Sequence, residues 1–198
     1  MSKVNLDSIQ KLRTITGLGM MDCKKALEET NGDIDAAIEA LRKRGAAIAA
    51  KRSDRDTAQG LVHAYIHPGS QIGVLVELNC ETDFVARNDA MKQFAQDLGL
   101  HITAMKPQYL APEDVDPAFL AKEHEIMTEQ LKNEGKPEAA IAKILEGKTT
   151  KLYTDICLLK QAFVKNDKLS VEEVIKELIA KTGENIRIRR FARFEIGA

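Results

Sequence analysis

Four histidines, three cysteines and a Gly-Leu-Gly turn are the side chains and turns of this sequence best suited to chemistry, and their spacing decides what they can do. His63 and His67 fall on one face of an alternating segment, roughly 13 Å apart at about 3.3 Å per residue, too far to hold one metal ion. His101 and His124 have no metal-motif spacing either, so no metal is expected. Cys23, Cys80 and Cys157 form no C-x-x-C pair and are odd in number, a pattern that suits a reducing compartment. Gly17-Leu18-Gly19 fails as a dinucleotide loop, because Asp22 holds the third glycine position and a helix rather than a strand comes before it. Neither a phosphate loop nor a G-x-S-x-G elbow occurs. No catalytic residue, cofactor or enzyme activity is expected, although a site assembled in space from distant segments stays open.

Two apolar loops remain. Thr16-Gly17-Leu18-Gly19-Met20-Met21 joins glycine flexibility to three apolar side chains that a small core has trouble hiding. Glu81-Thr82-Asp83-Phe84-Val85-Ala86-Arg87 sets a carboxylate before a large aromatic at a chain reversal. Spacing alone does not choose between core and partner surface for Met20, Met21 and Phe84.

The elements that must hold these loops are legible in the periodicity. Residues 1–45 read as a three-helix module. Leu6, Ile9 and Leu12 line its first helix, which stops near Gly17. The second helix runs from about Met20 through Leu27 to the Asn31-Gly32 stop. Asp33 caps a third with Ile34, Ala37, Ile38 and Leu41 inward, and Gly45 stands as its terminal glycine. Residues 46–59 read as a basic, alanine-rich linker. Residues 60–198 form an α+β core. It opens with a hairpin of two strands (Val62, Ala64, Ile66; Ile72, Val74, Val76, Leu78) around Pro68-Gly69-Ser70. A helix capped by Asn88 then carries Met91, Phe94, Ala95, Leu98, Ile102 and Met105 and should pack on that hairpin. Asp116-Pro117 and Lys136-Pro137 open two helices that make a protruding arm, with Gly135 between them. Ser170 and Glu173 fit a capping box for a helix through Val174, Ile175, Leu178 and Ile179 that ends at Gly183. Residues 185–196 alternate as a strand, with Ile186, Ile188, Ala192, Phe194 and Ile196 on one face and Arg187, Arg189, Phe191 and Arg193 on the other.

Charge narrows the function classes. The 198 residues are 44% apolar and 30% charged with a net charge of -1, so a core is affordable and a strong positive field for nucleic acid is absent. The basic linker and the arginine-bearing strand face are therefore read as structural, with an RNA-binding or ribosome-associated adaptor as the runner-up. The opening residues have no signal-like apolar run and no stretch approaches bilayer length, so the expected place is the cytoplasm, away from membranes.

Two stretches resemble the elongation factor Ts family. One is Leu12-Arg13 followed by Thr16-Gly17-Leu18-Gly19-Met20-Met21-Asp22-Cys23-Lys24-Lys25-Ala26-Leu27. The other is Glu77-Leu78-Asn79-Cys80-Glu81-Thr82-Asp83-Phe84-Val85-Ala86. The likeness continues through residues 101–107, 133–137, 161–164 and 183–197. It implies an N-terminal ubiquitin-associated-like three-helix module, an α+β core with a small antiparallel sheet, and a helical hairpin arm. It also implies a guanine-nucleotide exchange factor that binds elongation factor Tu, GDP-bound and nucleotide-free, in translation elongation. By the same resemblance Arg13, Met20, Met21 and Lys24 dock on that partner's nucleotide-binding domain, and Asp83 and Phe84 insert near its magnesium site. Ala162 stands where the family usually has proline, and Gln96-Asp97 where it can have a partner-contacting histidine, so that role is not carried over. Short members of the family pair, and the terminal strand is expected to serve a homodimer without a disulfide, because Ala192 lies within it and Cys157 outside it.

Overall fold

A computed structural model describes residues 4–197. Its contacts divide the chain into two compact units of three segments each: residues up to Val62, 77–94 and 173–189 in one, and 63–76, 95–172 and Arg190 onward in the other. The fold is α+β, as expected.

The first unit opens with α1 (Leu6–Thr16), α2 (Met20–Glu29) and α3 (Ile34–Arg52). Asn5 starts α1 by accepting the Ser8 N–H at 2.8 Å, while the Ser8 hydroxyl accepts the Asn5 N–H at 3.2 Å. Gly17 ends it with φ 67°, a left-handed turn that suits glycine. Asp33 caps α3 through the Ala36 N–H at 3.0 Å. Ile9, Leu12, Cys23, Ala26, Leu27, Ala37 and Leu41 close a core among the three helices, with Val4, Leu18, Ile34 and Ile38 packed against it. Leu6 departs from the expected inward stripe. It sits at the first helical position and stands largely exposed beside Met20 and Met21.

Gly45 does not end α3, which continues to Arg52. A glycine inside a helix costs only about 1 kcal/mol relative to alanine, and the alanines that follow are strong helix formers. Its real role is contact with α8 (Val171–Thr182): a Cβ there would stand 3.1 Å from the Ala180 Cβ and 3.6 Å from the Lys176 carbonyl. The bare Cα lets the two helices approach. Gly45→Val should therefore lower the urea midpoint by the equivalent of about 1–3 kcal/mol through overpacking. Gly45→Ala should change it far less, because better helix propensity offsets the squeeze.

Strands β1 (Gln59–Ile66), β2 (Ile72–Cys80) and β5 (Ile186–Glu195) form a sheet in the order β1-β2-β5. Gly60 crosses so close to β2 that a Cβ would fall 2.1 Å from the Leu78 carbonyl oxygen. In the second unit α5 (Asp89–Met105) packs on the hairpin, as expected, but on the Tyr65 face: a Cβ at Gly99 would lie 2.4 Å from the Tyr65 Cβ. Ala64 and Ile66 consequently point outward. The arm is α6 (Pro117–Asn133) against α7 (Glu138–Ile156), started by Asp116 accepting the Ala118 N–H at 2.9 Å and tied by His124 to Thr149 at 2.8 Å. A short ribbon, β3 (Ala162–Phe163) with β4 (Asn166–Ser170), had no signal in the periodicity.

β5 keeps the expected alternation but changes environment midway. Ile186 and Ile188 are buried, whereas Ala192, Phe194 and Ile196 on the same face are exposed, and the change falls at Arg190. On the opposite face Phe191 is half-buried, and Arg193 is pulled in by an ion pair of 2.7 Å to Glu195. Hydrogen bonds from Arg193 and Lys106 hold the Glu195 carboxyl below its ordinary range.

His101 is fully buried on α5. Its Nδ1 accepts the Val164 N–H at 3.2 Å, so Nε2 carries the proton and donates to Gln161 Oε1 at 3.0 Å. The Gln161 amide donates in turn to the Asp155 and Met105 carbonyls at 2.8 and 3.3 Å. Burial lowers the His101 pKa. Its neutral form is the native one, so this contribution is complete above the unfolded value of about 6.5 and is lost as pH falls from there through the lower folded value. The melting temperature should drop as pH falls below about 6.5, and His101→Gln, which cannot titrate, should flatten that profile.

Candidate partner-binding surface

Both apolar loops lie in the first unit. The turn between α1 and α2 is tight because Gly17 and Gly19 flank Leu18, which folds back on the three-helix core. The chain then enters α2 with Met20 42% and Met21 74% exposed. The core alternative for these two residues falls. With Val4, Leu6, Ile9, Lys24 and Glu28 they line an open groove of about 430 Å³. Lys24 stands at its edge, 3.8 Å from Glu28, in an exposed pair worth little by itself. Arg13 is exposed in the last turn of α1 and does not line the groove.

Phe84 is 81% exposed, so the core alternative falls for it too. It rides on α4 (Asp83–Ala86), a single turn between Thr82 and the buried Ala86. Thr82 caps that turn through the Val85 N–H at 3.4 Å. Asp83 pairs with Arg87 at 3.1 Å on the surface, a contact that a stronger charge could displace.

Sequence reasoning passed over the residues behind this turn. The Glu184 carboxylate accepts the Thr82 N–H at 3.0 Å and the Thr82 hydroxyl at 2.6 Å. The Glu81 carboxylate accepts the Asn185 N–H at 2.7 Å and pairs with Arg55 at 3.1 Å and Arg52 at 3.4 Å. The Asn185 N–H above all, then the two arginines, holds the Glu81 pKa down. Asn185, almost fully buried, donates its amide to the carbonyls of Arg55 and Ser53 at 2.9 and 3.3 Å. The Thr82 cap had a signal in the S/T preference for helix starts; Glu184 had none.

The remaining chemistry-bearing groups are engaged or buried. His63 meets Gln96 at 2.8 Å and His67 meets Tyr65 at 3.2 Å. All three cysteines are free and buried, and burial pushes the Cys157 thiol up to about 11. Among the described residues no group of His, Cys, Asp and Glu comes together in a way that could hold a metal ion, and no helix is long and apolar enough to cross a membrane. The basic stretch is largely compensated by ion pairs: Arg42 to Glu177, Lys43 to Glu39, Arg44 to Glu29, and Arg52 and Arg55 to Glu81.

Fold and surface together define an α+β protein with an N-terminal helical module and large apolar side chains held in the open on two supported turns. Comparison with known proteins narrows this class. The family model for elongation factor TS matches residues 11–198. Elongation factor Ts of Alkaliphilus oremlandii is 54% identical over 194 residues, 98% of this chain and 89% of that protein. Its counterpart in Thermotoga neapolitana is 51% identical over 195 residues, 98% of both chains. The chain belongs to the elongation factor Ts family, proteins of translation elongation.

Proposed function

We propose that this protein binds elongation factor Tu and promotes release of its GDP, acting as an exchange factor and not as an enzyme. The observation that carries the reading is Phe84, a large aromatic left 81% exposed on a supported single turn, in the same unit as the Met20–Met21 groove. Asp83 and Phe84 form a wedge towards the partner's magnesium and phosphate region, while Met20, Met21 and Lys24 dock, with Arg13 as an outlying cationic contact.

Linkage sets the scale. A factor that binds the nucleotide-free partner more tightly than the GDP-bound one weakens GDP binding by the same ratio. A thousandfold loosening requires about 4 kcal/mol of coupling at about 1.4 kcal/mol per decade, and one buried phenylalanine supplies at most about 3 kcal/mol. The wedge therefore works with the docking groove. Asp83 adds an electrostatic push by disturbing the oxygen shell of the magnesium ion that neutralises the phosphates. GDP release from elongation factor Tu, with and without saturating protein, tests the reading; an unchanged release rate would overturn it. An RNA adaptor reading is weakened in the basic stretch, where Arg42, Lys43, Arg44, Arg52 and Arg55 are ion-paired.

The same protein is proposed to pair with a second copy through the exposed sheet face of Ala64, Ile66, Leu75, Ala192, Phe194 and Ile196. Phe194→Asp should shift mass to monomer in a light-scattering dilution series and leave the melting temperature in place, because Phe194 is 66% exposed. Wild-type protein that stays monomeric at high micromolar concentration would rule the pairing out.

A further inference from the structure

Phe84 cannot set its own position. A side chain so open has no packing to hold it, and a four-residue helix is too short to sustain itself. The geometry must come from the backbone at either end of the turn. At the far end Ala86 is buried and the Asn88 N–H donates to the Val85 carbonyl at 3.0 Å. At the near end the anchor is a reciprocal clamp between residues 81–82 and 184–185. Each pair supplies a carboxylate that accepts a backbone N–H of the other: Glu81 takes that of Asn185, and Glu184 takes that of Thr82.

Glu184 does more than pin the backbone. Its second oxygen takes the Thr82 hydroxyl proton at 2.6 Å. With that proton committed, the hydroxyl oxygen turns a lone pair to the Val85 N–H at 3.4 Å, the side-chain cap of the turn. One carboxylate thus holds both the residue at which the turn begins and the hydroxyl that caps it. We propose that Glu184 is a positioning residue for exchange, acting through Thr82 to hold the Asp83–Phe84 wedge in its docking geometry. This rests on the exchange reading above.

The side-chain requirements follow. Aspartate is one methylene too short to span both donors. Glutamine has one acceptor oxygen and sets an N–H₂ group against the other donor. Alanine leaves the half-buried Thr82 N–H without its partner.

The test compares Glu184→Ala, Glu184→Gln, Phe84→Ala and the Glu184→Ala/Phe84→Ala double variant, each as the full chain. It reads GDP release from elongation factor Tu at saturation, affinity for the nucleotide-free partner, melting temperature, and amide hydrogen exchange at Thr82 and Val85. Glu184→Ala should slow saturated release about tenfold, with Glu184→Gln in between and melting temperatures within a few degrees of wild type. Adding Glu184→Ala to Phe84→Ala should cause little further loss, because the carboxylate acts through the phenylalanine. A full additional tenfold in the double variant, or wild-type release by Glu184→Ala, overturns the proposal. If Glu184→Ala unfolds, Glu184→Gln decides, and a wild-type rate there overturns it too. Should wild-type protein fail to release GDP, the exchange reading falls by itself. Amide protection then still judges the clamp: faster exchange at Thr82 and Val85 in Glu184→Ala upholds it, and unchanged exchange refutes it.

Discussion

Phe84→Ala should slow GDP release from elongation factor Tu by at least about tenfold at saturating protein, with thermal unfolding unchanged. The ring is 81% exposed, so its removal takes away almost no packing within the chain. In a complex the same ring would fill a pocket, and truncating a buried aromatic anchor at an interface commonly costs 2 kcal/mol or more, roughly a factor of thirty. The two measurements separate cleanly. A large fall in melting temperature would make Phe84 a structural residue; a normal release rate would remove it from the exchange machinery. Phe84→Leu should recover part of the rate, since a smaller apolar group still wedges.

The second large effect is expected from Met20→Asp/Met21→Asp. Each methionine buried against a partner contributes about 1.5–3 kcal/mol, so losing both, with two carboxylates added, should weaken affinity for nucleotide-free elongation factor Tu by at least a hundredfold. Both side chains are exposed and Asp at the first turn of a helix suits its dipole, so α2 (Met20–Glu29) should remain intact. Titration by calorimetry, with circular dichroism on the same sample, checks both halves. Unaltered affinity would move docking away from the groove. At saturation the release rate should recover more than it does for Phe84→Ala, which distinguishes holding from pushing.

Much of the architecture was written in local pattern. The caps at Asn88, Asp33 and Asp116 and the turn glycines Gly17 and Gly135 mark helix ends because short-range hydrogen bonds and backbone sterics decide them. Where local rules failed, a distant segment had intervened. Gly45 looked like a terminus, yet the helix runs on past it and Ala180 on α8 packs close against its bare Cα. β5 alternated uniformly, yet its environment changes at Arg190, where the strand leaves one compact unit for the other. The candidate surface was legible as two loops with large apolar residues. Whether Met20, Met21 and Phe84 face inward or outward was not, because that depends on how much core the neighbouring helices already fill. The clamp under Phe84 was beyond reach of any spacing argument, since Thr82 and Glu184 are 102 residues apart.

That separation has a consequence for the order in which the molecule matures during synthesis. The groove residues and the three-helix core beneath them are all made early, within the first 41 residues. Glu184 is made long after Phe84, so on the proposed reading the docking residues of a growing chain are complete while its wedge is still unset. A chain interrupted anywhere between α5 and Glu184 would carry the first half of the task without the second. If the proposed exchange role holds, such a fragment should occupy elongation factor Tu and fail to open it, competing with the complete protein.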